Sequence, residues 1–161
     1  MRKEPGEIAL DALDRRILAL LQAEGRLTNA ELAERINLSA SATHRRVRRL
    51  EEGGAIRDYV ARLDPRAVGR RATVFVEITL QGQSEEILEA FEAAVSRAPD
   101  VVECHLMAGT ADYLLKVVAR DSDDFARIHR QHLTRLPGVR EMHSSFALRT
   151  VVSGAALPVD D

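Results

Sequence analysis

Residues 38–50, Leu-Ser-Ala-Ser-Ala-Thr-His-Arg-Arg-Val-Arg-Arg-Leu, are the stretch of sequence that decides the fold. Ser39 is suited to cap a helix, because its hydroxyl can accept a backbone N–H of the first turn. At helical spacing, Thr43, Val47 and Leu50 lie on one narrow stripe that must face a core. The opposite side is polar and basic, and the segment carries four arginines without an acidic residue. We therefore predict an amphipathic helix with one strongly basic face.

The basic face of this helix is suited to DNA, because arginine pairs both with phosphates and with guanine in the major groove. The residues expected to contact DNA are Ser39, Ser41, His44, Arg45, Arg46, Arg48 and Arg49. Arg46 and Arg49 are expected to lie nearer the phosphates, and Ser41, His44, Arg45 and Arg48 in the major groove. The alternative is a solvated arginine face on an ordinary bundle helix, which would not explain the capping box and the turn that precede this helix.

Two more helices are predicted upstream of the basic helix. Thr28 and Glu31 have the spacing of a capping box, and the helix that they begin breaks at residues 37–39. Asp11 can cap an earlier helix that stops at Gly25. A short turn between two helices is typical of a helix-turn-helix, whose second helix enters the major groove. The first third of the chain therefore predicts a DNA-binding unit.

The chain changes character after the basic helix. Gly53 and Gly54 end that helix, and residues 55–63 alternate loosely as a strand, which we expect to pair with its copy in a second subunit. Asp64 and Pro65 interrupt the strand. The predicted domains are a helix-turn-helix domain with its connecting strand (1–63), a hinge (64–71), and an effector-binding and oligomerisation domain (72–161).

The second domain alternates strands and helices. The predicted strands cover residues 72–80, 101–108, 112–119 and 139–152, and the two predicted helices begin after caps at Ser84 and Ser122. The order βαββαβ indicates a ferredoxin-like (ACT-like) sandwich. The fold class is therefore α+β, with a winged-helix-like helix-turn-helix domain followed by this sandwich.

The third strand of the sandwich is apolar on both faces. Tyr113, Leu115 and Val117 alternate with Leu114 and Val118, although helices cover only one face of such a sheet. Exposed apolar surface costs about 25 cal/mol per Å². We therefore expect a second copy to cover the open face, with the two sheets packed face to face.

Composition sets the broader limits. The net charge is −2, but residues 1–64 carry twelve basic and eleven acidic side chains, whereas the remainder carries eleven and fourteen. DNA contacts depend on the local cluster at residues 45–49, because charges are screened within about 10 Å. No segment is predicted to cross a membrane, and the lone Cys104 favours a reducing compartment, so we expect a cytoplasmic protein.

Sites for metals and catalysis are not predicted. His129 and His132 are three residues apart on a helix, but Cys104 and His105 alternate to opposite faces of a strand and cannot converge with them easily. Cys104 is expected to be a small buried residue. No phosphate-binding loop or hydrolase motif is present. We therefore expect no catalytic residue, no metal and no cofactor.

The chain resembles the Lrp/AsnC (leucine-responsive, or feast/famine) family of transcriptional regulators over roughly residues 11–152. The Gly-x-x-Asp-Tyr turn is the most specific element. The residues that carry the resemblance are 10–18, 31–33, 38–39, 45–51, 103–116 and 136–139. The resemblance implies double-stranded DNA as a partner, a homodimer of the kind that commonly gathers into octamers, and an amino acid or related small metabolite bound between subunits.

By position, the resemblance also implies an effector site. The expected effector-binding residues are Gly109, Thr110, Ala111 and Asp112 of the turn, with Ser144 and Ser145 of the last strand. A zwitterion needs donors for its carboxylate and an anion, here Asp112, for its ammonium. Equally, Asp112 can serve only to bond the loop backbone. Ala108 replaces a hydroxyl residue that many relatives carry, which removes one polar contact to the effector.

Two other functions compete with regulation. Some proteins of this family resemble sirohaem decarboxylases built on the same two folds, and another alternative is an amino-acid sensor that no longer binds DNA. Four arginines on one helix argue against both, because neither activity requires them.

Overall fold

The computed structural model describes residues 8–159, so residues 1–7 and 160–161 of the predicted domains lie outside it. The chain divides into two compact units. One contains the described residues up to Ala61 together with those from Val152 onward, and the other spans Arg62–Val151. The end of the chain groups with the helical unit, because the side chain of Gln22 bonds both the backbone N–H and the carbonyl of Leu157, at 2.7 and 3.0 Å.

The helical unit contains the three predicted helices. They are α1 (Ala12–Ala23), α2 (Asn29–Ile36) and α3 (Ala40–Glu52). The predicted caps Asp11, Thr28 and Ser39 each accept a backbone N–H of the first turn. Asn37 ends α2 in the left-handed conformation at φ 56°, which produces the sharp turn into α3.

A small apolar core holds the three helices together. Ile17 of α1, Leu32 and Ile36 of α2, and Val47 and Leu50 of α3 are all buried and form one cluster. Thr43, the third residue of the predicted stripe, is also buried, and its hydroxyl donates to the carbonyl of Ser39 at 3.1 Å. The predicted orientation of α3 is therefore confirmed.

The predicted strand at residues 55–63 is wrong for a single chain, since this segment forms no strand. The segment is held near α3 instead, because the N–H of Ile56 donates to the carbonyl of Leu50 at 3.1 Å and the Tyr59 hydroxyl donates to Glu51 at 3.0 Å. A strand requires a hydrogen-bonded neighbour. The pairing of this segment with a second copy stays a prediction.

The second unit is the predicted ferredoxin-like sandwich. Its elements are β1 (Ala72–Leu80), α4 (Glu85–Val95), β2 (Val101–Leu106), β3 (Tyr113–Ala119), α5 (Ser122–Gln131), a short 3-10 helix (Leu133–Arg135) and β4 (Val139–Phe146). The four strands form one antiparallel sheet in the order β2-β3-β1-β4. The central pair, β1 and β3, supplies eight of the fourteen buried residues of the apolar core of this unit.

Three local predictions for the sandwich need correction. The last strand ends at Phe146 rather than at residue 152. The cap of α5 is Asp121 rather than Ser122, because the Asp121 carboxylate accepts the N–H of Asp124 at 2.8 Å. Cys104 is exposed rather than buried, since β2 is an edge strand whose residues from Val102 onward are all exposed.

The two faces of the sheet differ as predicted. Tyr113, Leu115 and Val117 of β3 are buried beneath the helices, whereas the intervening Leu114 and Val118 are only partly buried. On the same open face, the neighbouring Phe75 of β1 is 38% exposed. A second copy that covers this face stays a prediction.

Candidate DNA-binding surface and effector turn

Four of the predicted DNA contacts lie on one exposed stripe of α3, which we call the recognition stripe. Ser41, His44, Arg45 and Arg48 follow the spacing i, i+3, i+4, i+7, and all four are exposed. The recognition stripe lies on the side of α3 away from its buried residues. It can therefore face a partner over two turns of helix.

The arginines of the recognition stripe differ in their surroundings. Within residues 8–159, the guanidinium of Arg45 makes no hydrogen bond or ion pair. Arg48 lies 2.7 Å from the Glu52 carboxylate, and both side chains are more than three-fifths exposed. An exposed pair of this kind contributes little to stability and exchanges readily with a phosphate. Both guanidiniums are thus available to a ligand.

The Ser39 hydroxyl has a different role from the rest of the predicted set. It accepts the N–H of Ala42 at 3.3 Å and lies 3.2 Å from the hydroxyl of Ser41. The main role of the Ser39 hydroxyl is thus to cap the start of α3.

Arg46 and Arg49 turn towards Asp11 and Asp14 at the start of α1, and we call these four residues the arginine brace. Arg46 contacts the carboxylates of Asp11 at 2.6 Å and Asp14 at 2.8 Å, and Arg49 also pairs with Asp14. The side chain of Asp14 is fully buried, while Arg46 and Arg49 are 26% and 48% exposed. Two of the four arginines of α3 therefore form ion pairs within the helical unit.

The arginine brace also favours the charged form of Asp11. The backbone N–H of Asp14 and then the guanidinium of Arg46 lower the pKa of Asp11 to about 2. The carboxylates of Asp11 and Asp14 in turn raise the pKa of Arg46. Sequence reasoning placed Asp11 as a cap but missed the role of Asp14. In the sequence, the role of Asp14 is indicated only by its position beside the apolar stripe of α1.

Asn29 is another residue that sequence reasoning missed. It is the first residue of α2, and its side-chain nitrogen Nδ2 lies 3.0 Å from Nδ1 of His44. One member of the recognition stripe is thus held by a side chain from the preceding helix.

The predicted effector turn connects β2 to β3. Gly109 and Thr110 are exposed and Ala111 is partly buried. Gly109 does not have a positive φ, and a Cβ atom built on it would meet no heavy atom within 4 Å. The turn itself therefore does not require glycine at this position.

Asp112 has a structural role at the end of the effector turn. Its carboxylate accepts the N–H of Leu80 at 2.7 Å and the side-chain amide of Gln83 at 2.6 Å. These two bonds lower the pKa of Asp112, and the bond from the backbone N–H of Leu80 has the larger effect. Its backbone bonds Ile78 and Met107, both at 2.8 Å. Asp112 thus joins the ends of three segments of the sandwich.

Ser144 and Ser145 are not brought to the effector turn within one chain. Ser144 is opposite Val76 of β1 and Ser145 is opposite Phe75, so the two hydroxyls lie on opposite faces of the sheet. Strand β1 separates them from β3. The strand spacing and rise place Ser144 about 10 Å across the sheet and about 10 Å along it from Asp112.

Residues 8–159 contain neither a cluster of metal-ligating side chains nor a helix that could span a bilayer. Among residues 8–159, no three His, Cys, Asp or Glu side chains are grouped to hold a metal ion. None of the helices in the same range has the length and apolar composition that crossing a bilayer requires.

Two family models match the two units. A winged helix-turn-helix DNA-binding model matches residues 10–57, and the model of the Lrp/AsnC ligand binding domain matches residues 73–157. The chain belongs to the Lrp/AsnC family. Its recognition stripe lies within the first match and its effector turn within the second.

Curated relatives agree with this assignment over nearly the full chain. The leucine-responsive regulatory protein of Escherichia coli K12 is 40% identical over 150 residues, which are 93% of this chain and 91% of that protein. The protein of the same name from Salmonella typhimurium is 41% identical over the same coverage. These relatives are regulators, so they favour a regulator over the decarboxylase alternative.

Solved structures show the same architecture. A transcriptional regulator from Neisseria meningitidis in complex with L-Met has a TM-score of 0.88 and 36% identity, covering 94% of this chain and 98% of that one. An AsnC family transcriptional regulator from Agrobacterium tumefaciens has a TM-score of 0.88 and 38% identity, covering 93% and 97%. The protein is therefore a ligand-responsive transcriptional regulator of the Lrp/AsnC type.

Proposed function

We propose that this regulator binds double-stranded DNA with the recognition stripe of α3 in the major groove. The observation that carries the proposal is the exposure of Ser41, His44, Arg45 and Arg48 on one side of a helix fixed by its core and caps. Arginine can bond guanine O6 and N7 with two N–H groups, and a good bidentate pair contributes about 1–3 kcal/mol of discrimination. Ser39, Arg46 and Arg49 act mainly by holding α3 in place.

The effector that we propose is an amino acid or a related small metabolite, bound at the turn from Gly109 to Asp112. The complex of the Neisseria regulator with L-Met and the leucine-responsive relatives support this class of ligand. The open space around Gly109 also supports it, because a ligand or a second copy can approach the backbone there. The Asp112 carboxylate keeps lone pairs for an ammonium beyond its two present bonds.

A homodimer in the cytoplasm is the working unit that we propose, with octamers as its higher assembly. The partly exposed apolar face of the sheet supports the dimer, and Ser144 and Ser145 would line the effector site only across a subunit contact. The effector then acts by population shift, since it favours the assembly that binds it more tightly. A change of assembly moves the recognition stripes relative to one another along the duplex.

Replacement of Arg45 tests the DNA contact. DNA fragments retained by the protein from a random-sequence pool would first define a binding site. We expect Arg45→Ala to weaken binding to that site about 5- to 100-fold and to relax one base preference. Arg26→Ala, an exposed arginine outside α3, is the matched control and should bind normally. Wild-type affinity in Arg45→Ala would refute the assignment.

The effector proposal is tested by screening the twenty amino acids one at a time. Thermal melting, sedimentation velocity and DNA affinity are measured with and without each amino acid. We expect at least one to raise the melting temperature and to change the mass of the assembly or its affinity for DNA. If none changes any of these three quantities, the proposal of an amino-acid effector is wrong.

A further inference from the structure

The side chain of His44 is held by a residue outside its own helix. Nδ2 of Asn29 lies 3.0 Å from Nδ1 of His44, a normal hydrogen-bond distance. The two residues are fifteen positions apart, and they meet because α2 and α3 pack across the turn at residues 37–39. This contact therefore links the two helices through an exposed residue of the recognition stripe.

Asn29 is well placed to hold a neighbour. It follows the cap Thr28 directly, and the capping box formed with Glu31 fixes the first turn of α2. The core residues Leu32 and Ile36 anchor the same helix. Asn29 is the first residue of α2, so its side-chain amide projects from the helix rather than from a loop.

The contact determines which ring nitrogen of His44 carries the proton. An amide N–H of Asn29 can only donate, so Nδ1 of a neutral imidazole must accept and its hydrogen must be on Nε2. Nε2 is on the other side of the ring carbon Cε1 and points away from Asn29. His44 thus offers an N–H donor to whatever faces the recognition stripe.

We propose that Asn29 is a positioning residue for DNA recognition, which orients His44 and keeps its Nε2 as a donor. This inference rests on the proposed DNA contact of α3. A fixed donor selects base edges that present acceptors, which are N7 and O6 of guanine, N7 of adenine or O4 of thymine. It disfavours the amino groups of cytosine and adenine, which are donors. Asn29 therefore sets a base preference without touching the base.

The first experiment observes the histidine ring in the free protein. Nitrogen-15 NMR of the imidazole, recorded at mildly alkaline pH where histidines are neutral, distinguishes the two tautomers. We expect His44 of the wild type to carry its hydrogen on Nε2. In Asn29→Asp the carboxylate can only accept, so the hydrogen should move to Nδ1, and Asn29→Ala should give a mixture. An Nδ1 hydrogen in the wild type would overturn the proposal.

The second experiment measures base preference by selection from a random DNA pool. We expect His44→Ala to lose the preference at one base pair, and Asn29→Asp to shift that position towards a base that presents a donor. Glu34→Ala, an exposed change on the same helix, should leave the preference unchanged. An Asn29→Asp variant that melts like the wild type and keeps its base preference would refute the role of Asn29.

The two experiments separate this inference from the function on which it rests. If neither the wild type nor any variant retains DNA, the DNA contact of α3 fails, and the role of Asn29 in recognition fails with it. The imidazole spectrum of the free protein would still show whether Asn29 controls the tautomer. If Arg45→Ala weakens binding while the Asn29 variants select the wild-type site, only the inference on Asn29 is wrong.

Discussion

Removal of the Asp14 carboxylate should destabilise the helical unit more than any change at an exposed ion pair. Asp14 is the fully buried acceptor of the arginine brace and takes hydrogen bonds from the guanidiniums of Arg46 and Arg49. It also accepts the N–H of Asp11 at 3.1 Å, which completes the capping box of α1. An Asp14→Ala substitution removes the acceptor of all three hydrogen bonds at once.

The expected loss follows from these contacts. Hydrogen bonds to charged groups contribute about 1.5–3 kcal/mol each. Because Arg46 and Arg49 are 26% and 48% exposed and can be hydrated in the variant, the lower figure applies to each. The two bonds together therefore give about 3 kcal/mol. For a unit of this size, that loss lowers the melting temperature by more than about 10 °C.

Amide hydrogen exchange measured on the full chain is the suitable assay, because it reports the opening of the helical unit separately from the sandwich. We expect faster exchange throughout α1 and α3 in Asp14→Ala and unchanged exchange in β1 and β3. Asp14→Asn keeps the shape and one acceptor, so its effect should be about half as large in free energy.

Glu24→Gln is the matched control, because Glu24 pairs with Arg35 at 2.5 Å while both side chains are largely exposed. Its exchange should equal that of the wild type. If Asp14→Ala exchanges like Glu24→Gln, the arginine brace contributes no more than a surface pair. Arg46 and Arg49 would then be free for phosphates, as first expected from the sequence.

Two other predictions concern the sandwich. Gly109→Ala should weaken the response to effector but leave the melting temperature of the sandwich unchanged, because the added Cβ meets no atom within 4 Å. Gly138→Ala should lower the melting temperature, because Gly138 has φ +72° and an added Cβ would lie 2.9 Å from the side chain of Ile87. Bonds from Arg120, and then from Arg127, hold the pKa of Asp124 below its usual range. Asp124 therefore stabilises the sandwich above about pH 4, the pKa of an unfolded aspartate, and urea titrations at decreasing pH should show this stability being lost.

Features set by neighbouring residues could be predicted from the sequence. The caps at Asp11, Thr28 and Ser39 each depend on a group three positions away, so residue type and spacing were sufficient. The cap of α5 shows the limit of this reasoning, because Asp121 and Ser122 are adjacent and both are good caps. Only the geometry of the chain selects Asp121.

Features set by distant residues could not be predicted in the same way. The partners Asp14 and Arg46 are 32 positions apart, and no local pattern marks the pair. The segment 55–63 has the alternation of a strand, but alternation does not supply the neighbouring strand that it needs. Of the effector site, the turn was located from the sequence, whereas the separation of Ser144 and Ser145 from that turn by β1 follows only from the strand order.

The arginine brace changes how the charge of α3 should be understood. The helix carries four arginines, but Arg46 and Arg49 are neutralised by α1 and Arg48 shares its charge with Glu52, which leaves Arg45 as the cation on α3 without an ionic partner in the described chain. Non-specific affinity grows with the number of phosphates neutralised, so one copy should bind DNA weakly. Linking two copies raises the effective concentration of the second stripe without any new contact. The affinity of this protein for DNA should therefore depend on its assembly. An effector that changes the assembly would thereby control DNA binding.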